Sequence, residues 1–436
     1  VVKVLDASII DGWLLMVINI LGVLGFVWLL GEPSRRFFVA IAAITLPVAI
    51  GVTFAARWYV EKQWRPVPEP IPDVVYVWSG VCVVGLAILV TRLMFTEAIW
   101  RRVVTVCAAG LVVLLGLAHV NSHFGQYPTL RAALGLDHIN TANASELGKA
   151  KTVVPLSQWR KPSGLPAHGT IATVTIPASA SQFAARAAKV YLPPAYSSSP
   201  RPRLPVLLLL AGQPGAPSDW LVGARLADTM DDYAAAHDGV APVVIVADGT
   251  GTAMGNPLCM NSDLGNAATY LTTDVTDWAT GTLDVDVDRA KWAVGGLSYG
   301  GTCALQLVTN YPDQYPTFLD MSGQLEPTLG DRQRTIAAAF GGDNAKFVAV
   351  NPADLMRTRR YPTVAGVFVV GADDREYRPG LEKLYQLAKD AGMDVRFETV
   401  PGGHSFPVWA AGLKKELPWL AGRLGLADGT TGDRKN

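Results

Sequence analysis

The sequence predicts two parts, an α-helical transmembrane domain of four spans followed by an α/β domain with a mostly parallel sheet and helices on both faces. Three observations carry this. Half of the 436 residues are hydrophobic and only 17% are charged, too apolar a mixture for a chain held entirely in water. Four long apolar stretches crowd the first 122 residues. After His168, short β-type runs alternate with helical ones, the pattern of a sheet covered by helices.

The apolar stretches run from Ile10 to Leu30, Phe37 to Val60, Val74 to Phe95 and Val103 to Val120. Each is close to the ~20 residues a helix needs to cross ~30 Å of hydrocarbon, and none carries a charge in its middle. No small-residue cleavage site follows Leu30, and three more spans come after it, so the first stretch is read as a span and not a signal peptide. An even number of spans puts both ends on one side. The short loops with Arg35 and Arg36, and with Arg92, Arg101 and Arg102, are basic, whereas Arg57, Lys62 and Arg65 share theirs with Glu61, Glu69 and Asp73. By the positive-inside rule both ends lie outside. The expected location is the plasma membrane, with the α/β domain extracytoplasmic and the lipid bilayer as a partner. Asn19, Thr45, Thr53 and Ser79 inside the spans are read as helix-packing groups, and Cys82 and Cys107 as small packing residues.

The expected boundaries are residues 1–122 for the membrane domain, 123–168 for a juxtamembrane linker without periodicity, 169–427 for the α/β domain and 428–436 for a polar tail. Lysine plus arginine equals aspartate plus glutamate at 37 each, so no field draws nucleic acid. The four cysteines lack Cys-x-x-Cys spacing, and Asp284-Val285-Asp286-Val287-Asp288 lacks the glycine and glutamate that would complete a calcium loop. No metal and no cofactor are expected.

In the second part Ile171 to Ile176, Ala187 to Leu192, Val206 to Leu210, Val243 to Val246, Trp292 to Val294, Thr317 to Met321, Val364 to Val370 and Val395 to Val400 read as strands. Several are continuously apolar, as central parallel strands are. Ala224 to His237, Tyr299 to Asn310 and Gly380 to Ala391 read as helices between them. Gly296-Leu297-Ser298-Tyr299-Gly300 falls where the strand at Trp292 meets the helix at Tyr299. That is the setting of a nucleophile elbow, in which a serine is presented on a strained turn.

A serine hydroxyl needs a base to take its proton and a carboxylate to orient that base. After such an elbow the acid and then the histidine follow in chain order. Only His404 comes after Ser298, in the loop Pro401-Gly402-Gly403-His404. The strand end Val370-Gly371 is followed by Ala372-Asp373-Asp374-Arg375-Glu376. Asp374 is the preferred acid, with Asp373 second and Glu376 third. For the oxyanion, Tyr299 supplies the N–H after the nucleophile, and the glycine turn Ala211-Gly212-Gln213-Pro214-Gly215 makes Gln213 the second donor.

Val190-Tyr191-Leu192-Pro193-Pro194-Ala195-Tyr196, Leu204-Pro205-Val206 through Ala211-Gly212, Ser218-Asp219-Trp220, Thr269-Tyr270-Leu271 with Asp274-Val275, Gly296 to Gly301, and Gly403-His404-Ser405-Phe406 with Trp409 stand in one order. As a set they resemble the esterase D branch of the α/β-hydrolase superfamily, which also contains the mycolyltransferases of mycobacterial envelopes. The likeness runs from about Ala187 to Leu420 and leaves the spans outside. It implies an α/β-hydrolase fold with Ser298 as nucleophile, His404 as base, Asp374 as orienting acid, and Gln213 and Tyr299 as oxyanion donors. In mycolyltransferases the acid is a glutamate further along the loop, which keeps Glu376 open, and the histidine is followed by Ser-Trp where this chain has Ser405-Phe406.

Cys259, in a loop after the strand ending near Ala247, and Cys303, at the start of the nucleophile helix, should reach the same sheet edge and are expected to form a disulfide in an oxidising space. Trp220, Phe406 and Trp409 are candidates to line an open cleft near the membrane face, since Ser322 to Pro362 is too short for a large lid. The expected function is a membrane-anchored serine esterase or acyltransferase acting on ester-linked lipid or glycolipid-type substrates. Its alternatives are mycolyltransferase-like transfer to a sugar, and a non-catalytic membrane binding or scaffold protein.

Overall fold

The computed structural model describes residues 2–31, 34–136, 140–141 and 147–426. Backbone contacts divide the chain into two units, Val1–Asp137 and His138–Asn436.

In the first unit α1 (Gly12–Leu30), α2 (Arg35–Trp64), α3 (Asp73–Phe95) and α4 (Ile99–Phe124) are each long and apolar enough to cross a membrane. Their outward faces are apolar too, for example at Leu24, Phe54, Val90 and Leu117, as lipid-facing helices require. Two of the polar residues expected to pack helices do so across them. Asn19 Oδ1 lies 2.8 Å from His119 Nε2, and the Thr45 and Thr91 hydroxyls are 2.8 Å apart. The Thr53 hydroxyl instead donates within its own helix, to Ala49 O at 2.9 Å. Arg92, only 2% exposed, donates from Nη1 to the carbonyls of Trp28 and of Leu29, the latter at 3.0 Å. Its charge therefore sits on the carbonyl-rich C-terminus of α1, the end that favours a cation.

The second unit is an α/β-hydrolase-type domain. Its main sheet contains β1 (Thr170–Val174), β2 (Ala188–Leu192), β3 (Val206–Leu210), β4 (Val243–Ala247), β5 (Trp292–Leu297), β6 (Thr317–Met321), β7 (Ala365–Gly371) and β8 (Asp394–Val400). Their spatial order is β8-β7-β6-β5-β3-β4-β2-β1. From β8 to β4 all neighbours are parallel, and β2 runs antiparallel to both β4 and β1.

Alternation along the strands sorts the core into two layers. Leu208, Ile245, Val294, Phe318 and Phe368 face one side with α6 (Tyr299–Asn310) and α7 (Arg378–Asp390), packing on Leu305, Leu307, Leu381 and Leu384. Leu207, Leu209, Val246, Leu319 and Val369 face the other, against Leu226 and Met230 of α5 (Leu226–Ala236) and Leu413 and Leu417 of α8 (Phe406–Arg423). Both faces being covered is why the central strands are apolar without interruption.

Residues expected as linker, 123–168, are shared between the units. Phe124 ends α4, and Arg131 pairs with Asp6 at 2.6 Å. Further on, Val153–Pro155 pairs in parallel with Arg201–Arg203, and Ala150 N donates to Asp284 Oδ2 at 2.8 Å. Hydrogen bonds and ion pairs hold these pieces together with a few scattered apolar contacts from Leu147, Leu156 and Trp159, too irregular to leave a hydrophobic period in the sequence. Ser322 to Pro362 folds into short helices at Arg332–Phe340, Asn344–Val348 and Pro352–Thr358, and Gln306 of α6 donates to Val350 O at 2.9 Å.

Cys259 and Cys303 form a disulfide with Cα atoms 5.3 Å apart, closing a separation of 44 residues. A closed loop of this length restricts the unfolded chain by about 4 kcal/mol in the chain-entropy account. Cys259→Ala with Cys303→Ala is therefore expected to lower unfolding free energy by about 2–4 kcal/mol. Denaturant titration without reductant checks this; an unchanged midpoint would mean the bridge contributes nothing.

Candidate active site

The switch in strand order builds the site. The chain passes from β3 to β4 on one side and returns to β5 on the other side of β3, so the carboxyl ends of β3 and β5 flank a crevice. Leu210 of β3 is in register with Gly296 of β5, which puts the turn after β3 beside Ser298. A Cβ built on Gly212 would lie 3.5 Å from Ser298 Cβ.

Ser298 has φ 54° and ψ −121°, a conformation costly for a residue with a side chain and one that aims its Oγ out of the turn. Two glycines make room. A Cβ on Gly296 would collide with the backbone of Gly300, and one on Gly300 with the carbonyls of Leu210 and Ala211. The turn is anchored from β6, where Met321 O accepts the Ser298 N–H at 2.7 Å.

His404 reaches Ser298 from the loop after β8. Its Nε2 lies 2.9 Å from Ser298 Oγ and its Nδ1 lies 2.9 Å from Asp374 Oδ2. An ionised carboxylate only accepts, so Nδ1 carries the proton and Nε2 is left to receive that of Ser298. Asp374 is 3% exposed and its Oδ1 accepts the Tyr377 N–H at 3.2 Å. Asp373 and Glu376 are exposed, and the hydrogen bond to His404 comes from Asp374. The Tyr377 ring stacks on the imidazole at 3.9 Å, and the edge of Trp409 meets it at 4.9 Å. Tyr377 carries no motif in the sequence and is visible only through this stacking.

Tyr299 opens α6, so its N–H belongs to the first turn, where helix amides lack carbonyl partners four residues back. Its phenol is turned away, donating to Gly249 O at 3.2 Å and accepting the Cys259 N–H at 3.1 Å. Gln213 is half-buried in the turn after β3, with Nε2 donating to Met254 O at 3.0 Å.

The aromatic residues expected to line a cleft are all buried, and of the three Trp409 touches the His404 ring. Trp220 is fully buried with its indole N–H on Leu210 O at 3.0 Å. Phe406 is 9% exposed and packs against Gly223. Trp409 is 4% exposed, and its Nε1 donates to Ser322 Oγ at 3.3 Å. These side chains support the loops from behind, because the core face of α8 claims them.

Under the elbow lies a carboxyl that motif reading passes over. Asp320 of β6 is fully buried, accepts the Gly323 N–H on Oδ1 at 2.9 Å, and sits against Gly301. Burial pushes its pKa up to about 7, against the Gly323 hydrogen bond that favours the charged form. A raised carboxyl pKa stabilises the fold most below the unfolded value of about 4, and that contribution is lost as pH rises to about 7. Asp320→Asn should flatten the fall in stability between about pH 4 and pH 7 and leave the variant the more stable protein above it. Denaturant midpoints across that range decide it; parallel pH profiles for the two proteins would refute it.

Among the described residues no group of three or more His, Cys, Asp or Glu stands together as a metal-ligand set. Asp284 pairs with Arg201 at 3.0 Å, Asp286 with Lys291 at 3.0 Å, and Asp288 accepts the Ala290 N–H at 3.0 Å.

The sequence matches the Esterase family, described as "Putative esterase", over residues 180–420. An uncharacterized protein of Corynebacterium glutamicum is 37% identical over 431 residues, covering 96% of this chain and 98% of its own, so that likeness takes in the apolar helices as well. Among solved structures, a ferulic acid esterase superposes with a TM-score of 0.50 at 20% identity, over 59% of this chain and 98% of its own. That likeness is one of fold. An S-formylglutathione hydrolase from Agrobacterium tumefaciens gives 0.49 at 16% identity, over 60% of this chain and 97% of its own.

Proposed function

We infer the reaction from one premise: this chain belongs to the Esterase family. It is a serine hydrolase whose chemistry is ester hydrolysis or acyl transfer. The observation that carries the assignment of roles is the unbroken hydrogen-bonded series Ser298, His404, Asp374, with both links at 2.9 Å.

In our reading Ser298 Oγ attacks the ester carbonyl as its proton passes to His404 Nε2, and the Asp374 carboxylate steadies the imidazolium. The carbonyl oxygen becomes an oxyanion facing the N–H groups of Tyr299 and Gln213. Collapse breaks the ester C–O bond, the leaving alkoxide takes the proton from His404, and an acyl-Ser298 remains. A second hydroxyl, from water or a sugar, gives its proton to His404 and attacks the acyl carbon; the acyl–Oγ bond then breaks, Ser298 Oγ takes the proton back from His404, and the free acid or acylated sugar leaves.

The substrate we propose is a lipid or glycolipid-type ester at the outer face of the plasma membrane. Supporting this are the helices of membrane-crossing length on the same chain, the basic loops at Arg35-Arg36 and Arg101-Arg102, and the disulfide in the hydrolase unit, a bond that persists in oxidising compartments. Transfer to a sugar acceptor is the second reading: the motif set resembles the branch that contains the mycolyltransferases, but Ser405-Phe406 stands where they have Ser-Trp, which weakens it.

The test is turnover of p-nitrophenyl esters of short and long acyl chains by the detergent-solubilised protein, with and without a disaccharide acceptor. Release of p-nitrophenol with free acid supports hydrolysis, and an acylated disaccharide supports transfer. No release and no fluorophosphonate labelling would overturn the enzymatic reading. Protease accessibility of the hydrolase unit on intact cells tests its side, and full protection would place it in the cytoplasm.

A further inference from the structure

Two segments meet at the turn after β3, and one side chain ties them to it. Arg186, just before β2, donates from Nε to Asp248 Oδ2 at 3.0 Å and from Nη2 to Asp248 Oδ1 at 2.8 Å and Thr250 Oγ1 at 2.7 Å. Its backbone N–H also reaches Asp248 Oδ2, at 2.7 Å. The remaining arm, Nη1, donates to the carbonyl of Gly215 at 3.0 Å. Gly215 lies two residues beyond Gln213, and its N–H donates to Ala253 O at 3.0 Å. With Gln213 Nε2 on Met254 O, the turn is held at two points by the segment that follows β4.

That segment is itself fixed along its length. Asp248 and Thr250 are held by Arg186, Gly249 and Cys259 by the Tyr299 phenol, and Cys259 again by the bridge to Cys303 of the nucleophile helix. Asp248 is 1% exposed. Burial alone would raise its pKa, yet the hydrogen bonds from Arg186 and the Thr250 N–H, together with the Arg186 charge, hold it below the ordinary carboxylate value. The pair is thus a charged, bidentate fork, the geometry in which arginine gives direction as well as charge.

We propose that Arg186 is a positioning residue that fixes the turn carrying Gln213, so that its N–H meets the oxyanion formed on the substrate. The proposal rests on the reading of Gln213 as an oxyanion donor. Arg186 does not touch the reacting atoms. Its effect runs through Gly215 O, and it should appear in kcat, because the oxyanion exists only after attack. Lysine can keep the charge opposite Asp248 but cannot span Asp248, Thr250 and Gly215 at once.

The experiment compares full-length wild type, Arg186→Met and Arg186→Lys with p-nitrophenyl butyrate, together with hydrogen exchange of the peptide spanning residues 211–217. Arg186→Met should lose about 100-fold in kcat with KM within about threefold, the loss expected for a misplaced oxyanion donor. Arg186→Lys should fall between it and wild type, and exchange in the turn should quicken in the same order. A folded Arg186→Met that keeps kcat within about threefold, or that changes KM alone, overturns the proposal, as does unchanged exchange. Should Arg186→Met not fold, Thr250→Val, which removes one partner of the fork, is expected to lower kcat about threefold to tenfold with faster exchange, and wild-type behaviour would count against the proposal. If wild type turns over no ester, the enzymatic reading fails, and the exchange comparison still decides whether Arg186 holds the turn.

Discussion

Ser298→Ala is expected to lower kcat for p-nitrophenyl esters by about 10⁴-fold or more, the range seen when a triad nucleophile is removed, and to abolish covalent labelling by a fluorophosphonate. The fold should survive, because alanine keeps the backbone and Met321 O still accepts the residue-298 N–H. The φ of 54° is no better tolerated by alanine than by serine, so stability should change by less than about 1 kcal/mol. Activity and labelling together with a denaturant midpoint check both halves. Undiminished labelling of the variant would place the nucleophile elsewhere.

Asp374→Asn should cost about 10⁴-fold in kcat, through the direction of one proton. In the wild type Asp374 Oδ1 accepts from Tyr377 N–H and Oδ2 from His404 Nδ1. In the variant the amide oxygen remains on the Tyr377 N–H, so the amide NH₂ faces His404. Nδ1 must then accept, the ring proton moves to Nε2, and Ser298 loses its base. The matched controls are Asp373→Asn and Glu376→Gln, whose side chains are exposed; both should stay within about twofold of wild type. A large loss in Glu376→Gln with near-normal Asp374→Asn would transfer the acid's role along the loop.

Much of the hydrolase unit was legible because its signals are local. Each of the eight β-type runs after His168 is a strand of the main sheet, since a strand covered on both faces must be apolar at successive positions. The helix at Tyr299–Asn310 occupies the expected residues. The apolar stretches were equally plain, although α2 extends to Trp64 and α4 to Phe124, because polar ends past the hydrocarbon length still complete their helical hydrogen bonds. The segments at 147–168 were not legible: their ties to Arg201, Asp284 and their neighbours are polar and far apart in sequence.

The same division runs through the site. Chain order and residue chemistry singled out Ser298 and His404, because one Gly-x-Ser-x-Gly precedes the single downstream histidine. They left three carboxylates as candidates for the acid. The resemblance ranked Asp374 first, but residue type does not separate it from Asp373; the turn buries Asp374 and exposes Asp373, and only a buried carboxylate aimed at Nδ1 can hold the imidazole. The aromatic residues show the reverse. Trp220, Phe406 and Trp409 suggested a cleft by their type, and packing set them into the core. Tyr377, with no motif, lies against the imidazole.

The sequence by itself determined the two-part architecture, the strand set, the elbow and the order of its partners, because these follow from periodicity, steric demand and chain order. Tertiary structure confirmed which aspartate meets His404, and it alone decided which rings support the imidazole, how Arg186 reaches the turn beside Ser298, and how the Cys259–Cys303 bridge ties the segment after β4 to the nucleophile helix. Those outcomes depend on distances between residues remote in sequence, fixed only when the two core layers close on the sheet.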